Sequence, residues 1–232
     1  MNSALFDTAL KADIIFCVDA RDEMALLADK IKSVICDFPQ NLAEQAEGAG
    51  GIQSVRTKVI TFRDYRYSEH PLVESEFFNV LDKEQEKEFR SYVNGIVFKD
   101  GANGTANIYE AIWAALRSEW ITCKRRARHI IMLFTNAKPI ALQARAEQSS
   151  YPENAPHDIV SLLNIYEGNA EEEAPFYSRK SGRMLIFSDG LGDDESLIAS
   201  THGTFISSIH SVGQHDFQQQ LYDCIKCLLP AL

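Results

Sequence analysis

The chain has 232 residues, 45% of them hydrophobic and 24% charged, a balance that suits one sizeable core and excludes disordered and fibrous classes. Acidic residues outnumber lysine plus arginine by 33 to 23, and the resulting net charge of −10 repels phosphate backbones, which argues against nucleic-acid binding. No apolar run reaches bilayer length, residues 1–12 lack the apolar stretch of a secretory signal, and the five scattered cysteines fit a reduced compartment; a cytoplasmic protein with no membrane partner is expected.

Asp13-Ile-Ile-Phe-Cys-Val-Asp19 is a continuous apolar run closed by a carboxylate, the pattern of a central strand buried on both faces. From Glu23 to about Leu42, the positions Met24, Leu27, Ile31, Val34, Ile35 and Phe38 recur at helical spacing. After a glycine-rich loop at Gly48, Gly50 and Gly51, the β-branched, alternating segment Thr57 to Phe62 predicts a second strand, and Leu72 to Val80 a short edge strand. A charged helix is expected from Asp82 to Asn94, followed by the turn-rich stretch Lys99 to Thr105. Ile108, Ile112, Ala115, Leu116 and Trp120 then line one face of another helix.

His129 to Thr135 is the strongest strand signal and ends at Asn136-Ala-Lys-Pro139. The basic cluster Lys124, Arg125, Arg126 and Arg128 before it suits the negative end of the preceding helix. Between Pro139 and Gly182 the sequence turns Pro-rich and acidic and reads as a surface insertion containing a helix at Asp158 to Tyr166. Met184 to Phe187 and Thr204 to Ile206 are the last strands, and Phe217 to Leu229 a closing helix in which Cys224 and Cys227 read as core residues rather than zinc ligands.

This order predicts an α/β fold over residues 1–232: a Rossmann-like, open, mostly parallel six-stranded sheet with one antiparallel edge strand and helices on both faces. Ligands of such sheets bind beyond the carboxyl ends of the strands, so the residues to weigh are those that follow each apolar run.

Those residues form a recognisable pattern. Val18-Asp-Ala-Arg-Asp-Glu-Met24, Phe62-Arg-Asp-Tyr65, the Gly-rich entry Gly101 to Glu110 and Leu133-Phe-Thr-Asn-Ala137 resemble, in order and spacing, the von Willebrand factor A family of bacterial type. The resemblance implies a metal-ion-dependent adhesion site, in which a carboxylate, small hydroxyls and a further Thr or Asp hold Mg²⁺ or Mn²⁺ for a partner protein. Asp19 is retained, while Arg21 and Glu23 stand where the hydroxyl ligands belong, Asn136 where the last Asp belongs, and Thr105 or Asn103 at the middle position.

A guanidinium has five donors and no acceptor, so Arg21 cannot ligate a cation. Turned inward, it pairs with Asp19 and Glu23 and replaces the ion as a fixed counter-charge. A degenerate, metal-free adaptor or scaffold domain follows, with Asp19, Arg21, Glu23, Asp64, Asn103, Thr105 and Asn136 as the partner-binding set. The resemblance to bacterial members further implies a multi-protein stress-response or defence system.

Three other readings stay open. With Arg21 turned to solvent, Asp19, Glu23 and Thr105, or Asp64 in place of Thr105, could hold Mg²⁺ or Mn²⁺, with Asp189 as a substitute ligand. Asp19 could also serve as the nucleophile of a metal-dependent hydrolase or phosphotransferase, although Arg21 stands where such enzymes usually carry a second Asp. Or Asp19 and Glu23 are plain strand-end and helix-start carboxylates. The sequence has no G-x-S-x-G elbow, no phosphate loop and no dinucleotide turn, and its six histidines form no metal-spaced pair, so no catalytic residue is expected.

Overall fold

A computed structural model describes residues 10–47, 51–101, 104–122, 127–170, 173–214, 217 and 221. The elements run β1 (Leu10–Asp19), α1 (Ala28–Glu47), β2 (Ile52–Phe62), β3 (Leu72–Glu74), β4 (Phe78–Asn79), α2 (Lys83–Asn94), β5 (Thr105–Ala106), α3 (Ile108–Leu116), β6 (Ala127–Phe134), β7 (Lys138–Pro139), α4 (Ile159–Tyr166), β8 (Gly182–Ser188), α5 (Glu195–Ala199) and β9 (Thr204–Ser208). The central sheet has the order β3-β2-β1-β6-β8-β9, with β4 also paired to β2. Neighbours from β2 to β9 pair parallel, while β3 and β4 pair antiparallel with β2. The sheet is therefore mixed and mostly parallel, and its antiparallel edge consists of two short strands instead of the single one expected.

The pleat sorts each apolar run onto two faces. Ile14, Phe16 and Val18 of β1 join Ile130, Met132 and Phe134 of β6 in a core covered by Ile31, Ile35 and Phe38 of α1 and by Phe89 and Val93 of α2. Ile15, Cys17, Ile131 and Leu133 point the other way, into a second core under α3 and α4. With helices over both faces, β1 and β6 can be apolar at nearly every position, which is why they were the clearest strands in the sequence.

The structure departs from expectation in four places. The first helix is preceded by a 3-10 turn over Asp22–Leu27 and becomes α-helical at Ala28. Trp120 lies beyond α3; its indole nitrogen donates to Ala115 O at 2.8 Å, folding the ring back over the last turn of the helix. All nine residues of α3 are buried, so it is not one-faced. The segment after Pro139 covers its outer side with buried Leu142, Ala155, Leu162, Leu163, Ile165 and Tyr166, and so builds core as well as surface.

The expected helix at Asp158 to Tyr166 is α4, with Asp158 as a helix-capping residue that accepts from Ser161 N at 2.7 Å. The basic cluster at 124–126, Asn103, Cys224, Cys227 and the expected closing helix, apart from Phe217 and Leu221, lie outside the described residues. Among the described residues no helix is long and apolar enough to cross a membrane.

Candidate functional site

β1, β2 and β6 end at the same edge of the sheet, so residues 19–23, 63–65 and 135–136 emerge together. Asp19 closes β1 with its side chain fully buried. Its two oxygens accept from Arg21 twice, Nε to Oδ1 at 2.8 Å and Nη2 to Oδ2 at 2.7 Å, in the forked geometry that a guanidinium and a carboxylate share. Arg21 N adds a bond to Oδ1 at 3.2 Å and Thr135 Oγ1 one to Oδ2 at 2.7 Å, so all four acceptor directions are in use.

Arg21 is also fully buried. Its backbone is extended and it precedes the 3-10 turn without capping it, since a guanidinium has no acceptor, and its side chain is folded back onto Asp19. Nη2 makes a further bond to Asn136 Oδ1 at 2.7 Å, and Asn136 Nδ2 donates to Glu23 O at 3.1 Å. An amide can accept from the guanidinium and donate to the carbonyl at once; a carboxylate at position 136 would oppose the carbonyl with a second acceptor. Among the described residues Nη1 has Glu23 Oε1 at 3.4 Å and makes no hydrogen bond.

The structure thus brings Asp19, Arg21, Glu23 and Asn136 together and adds Thr135, which sequence reasoning missed even though it lies beside Asn136. Asp64 is not part of this group. Its buried carboxylate is forked onto Arg145, at 2.9 Å from Nε and 3.1 Å from Nη2, and also accepts from Arg66 N at 2.9 Å. Thr105 sits in β5, paired with Lys138 of β7, and among the described residues its side chain makes no bond to Asp19 or Arg21. Asp189 lies 3.2 Å from the exposed His210, and among the described residues its side chain makes no bond to Asp19 or Arg21.

Each residue of Phe62-Arg-Asp-Tyr65 has a local task. Phe62 is core. Arg63 donates to Ala20 O, Lys99 O, His70 O and Val97 O, which ties three loops to the sheet edge; burial lowers its pKa. Tyr65 packs its ring 5.2 Å from Tyr151.

Tyr151 OH in turn donates to Glu110 Oε1 at 2.8 Å and accepts from Gln143 N. Together with the Asp64–Arg145 pair, this contact straps residues 143–151 across the start of α3. Glu110 is buried, and desolvation raises its pKa.

A hard divalent cation needs several free oxygens in near-octahedral array. Here the carboxylate that would anchor it is saturated, and a guanidinium fills the adjacent volume, so the residues present do not fit such an ion. Among the described residues no group of three or more His, Cys, Asp or Glu is arranged to hold one.

No protein-family model and no curated protein matches the sequence. Solved structures do. Two crystal structures of the pilus adhesin SpaC from Lactobacillus rhamnosus GG align with TM-scores of 0.58 and 0.56 at 11% and 13% identity, each over 95% of this chain. Proximal thread matrix protein 1 from the mussel byssus aligns with a TM-score of 0.53 at 12% identity, also over 95%. The chain spans 31% of the adhesin and 47% of the matrix protein. At these identities the likeness is one of fold, a mixed α/β sheet shared with adhesin-type proteins.

Proposed function

We propose that this chain is a von Willebrand factor A-like domain that binds a partner protein without catalysis, using an adhesion site whose cation is replaced by Arg21. One observation carries the reading: both oxygens of Asp19 are held by a fully buried guanidinium. A carboxylate bound in this way has no lone pair directed at a metal, and its nucleophilicity toward a phosphoryl or acyl group is quenched. Both the Mg²⁺-dependent binding mode and the hydrolase reading lose their central residue. Adhesin-type structural neighbours fit a protein-binding role, and the bacterial stress-response or defence setting stays an implication of the sequence resemblance.

The docking face is the sheet edge around Arg21, Glu23 and Asn136, flanked by the strap that Arg145 and Tyr151 hold down. Arg21, Asn136 and Thr135 keep the loops in one shape, so a partner meets a preorganised surface and little ordering entropy is lost on binding. Photocrosslinking in the native cell, from a probe at Leu26 and a control probe at Glu88 on α2, tests this placement. A discrete crosslinked protein from the first position alone is expected. The same adduct from Glu88 alone, or Mg²⁺-dependent phosphatase turnover lost in Asp19→Asn, would overturn it.

A further inference from the structure

Asp22 and Glu23 open the 3-10 turn, and both are exposed. A methyl group placed on Gly101 would overlap Asp22 Oδ1 and Glu23 Oε2 together, so two neighbouring carboxylates turn their oxygens into one small volume over that glycine. Among the described residues neither carboxylate accepts a hydrogen bond. Among the described residues the cation paired with Glu23 is Arg21 Nη1, 3.4 Å from Glu23 Oε1, which is itself buried and makes no hydrogen bond. Arg21 is already forked onto Asp19. Two carboxylates, those of Asp19 and Glu23, therefore share one guanidinium, and among the described residues Asp22, whose oxygen converges on that of Glu23, has no cation within ion-pair distance.

Residues three apart eclipse on a 3-10 helix, which puts Leu26 on the same face as Glu23. Leu26 is 96% exposed, more than any other large apolar side chain among the described residues. A bare leucine beside two converging carboxylates that have only one shared, buried guanidinium near them is a surface complementary to a basic segment with an apolar neighbour.

We infer that this corner receives a Lys or Arg side chain of the partner protein. The inference rests on reading this face as a docking surface and deepens it by naming the partner's chemistry. The ammonium or guanidinium sits between Asp22 and Glu23 and cancels their repulsion. A backbone carbonyl of the same segment is the acceptor that Arg21 Nη1 lacks once Glu23 swings toward the ligand, and the partner's apolar side chain covers Leu26. An acidic group, which a metal-loaded site would attract, is repelled here.

The test is an NMR titration of the ¹⁵N-labelled full chain with the blocked dipeptide acetyl-Arg-Leu-amide, with acetyl-Glu-Leu-amide and with Mg²⁺. The basic dipeptide is expected to shift the amides of residues 22–26 and Gly101 saturably, more weakly as salt rises. Asp22→Asn and Glu23→Gln should each weaken it about fivefold, the effect of losing one exposed ion pair. Gly101→Ala, which pushes the carboxylates apart without changing charge, should weaken it as well. Three outcomes overturn the inference: no saturable shift with the basic dipeptide, equal shifts with the acidic one, or Mg²⁺ filling the corner and displacing the basic dipeptide. None of them bears on whether the face docks a protein, which the crosslinking reads separately.

Discussion

Replacing Arg21 by Met probes the buried pair with little change of volume. The substitution removes three charge-assisted bonds, two to Asp19 and one to Asn136. It leaves Asp19 fully buried with only Arg21 N and Thr135 Oγ1 as donors. Breaking a buried pair from one side costs about 3–5 kcal/mol, because the remaining charge keeps its desolvation penalty without its partner. For a domain of this size each kcal/mol lowers the Tm by roughly 2–4 °C, so a fall on the order of 10 °C is expected.

Asp19→Asn in the Arg21→Met background should recover much of that loss, since no unpaired charge then remains. The assay is urea denaturation followed by circular dichroism, with an unchanged m-value showing that the same surface unfolds. A loss below about 1 kcal/mol, the level of a solvent-exposed pair, with no recovery in the double variant, would mean that Arg21 is not an internal counter-charge.

Other expectations concern the strap and the two buried titratable groups. Arg145→Ala leaves the buried Asp64 carboxylate with Arg66 N as its one donor among the described residues, and limited proteolysis should then cut within 143–151 faster than in wild type, while equal rates would show that the strap is held elsewhere. Burial raises the Glu110 pKa above the ordinary 4.5, so the folded state holds that proton more tightly than the unfolded chain. Stability from this group is full below 4.5 and is lost as pH rises through the raised value; relative to Glu110→Gln, wild type should therefore gain stability on acidification, and a pH-independent difference would contradict this. His129 is shifted the other way: burial lowers its pKa below 6.5, and Nδ1 accepts from Ser178 N, a bond that protonation at Nδ1 would break. Its contribution is full above 6.5 and is lost as pH falls toward the lowered value, so the stability of His129→Gln should fall less than wild type between pH 7 and 5.

What the sequence disclosed followed from periodicity and proximity. β1 and β6 were legible because strands covered on both faces are apolar at nearly every position. The Asp19–Arg21 pair was legible because its members are two residues apart and a guanidinium cannot ligate a cation. β5, β7 and α5 escaped because elements of two to five residues carry no period. The mate of Asp64 escaped because 81 residues separate it from Arg145, and no local rule pairs them. The covering of α3 could have been read: Trp113 and Ala114 lie across from the expected stripe, Tyr109 and Ala111 widen it, and a helix apolar nearly all round must be buried all round. The segment after Pro139 was the remaining stretch able to cover it.

A Mn²⁺ titration, followed by electron paramagnetic resonance of the free ion, reaches the central claim most directly. Wild type, Asp19→Asn and Arg21→Ser would be compared. With the guanidinium in the ion's place, wild type and Asp19→Asn should give the same curve, and a new saturable site should appear only when Arg21→Ser frees the oxygens of Asp19 beside Thr135 and Asn136. A single tight Mn²⁺ site in wild type that vanishes in Asp19→Asn would contradict the account.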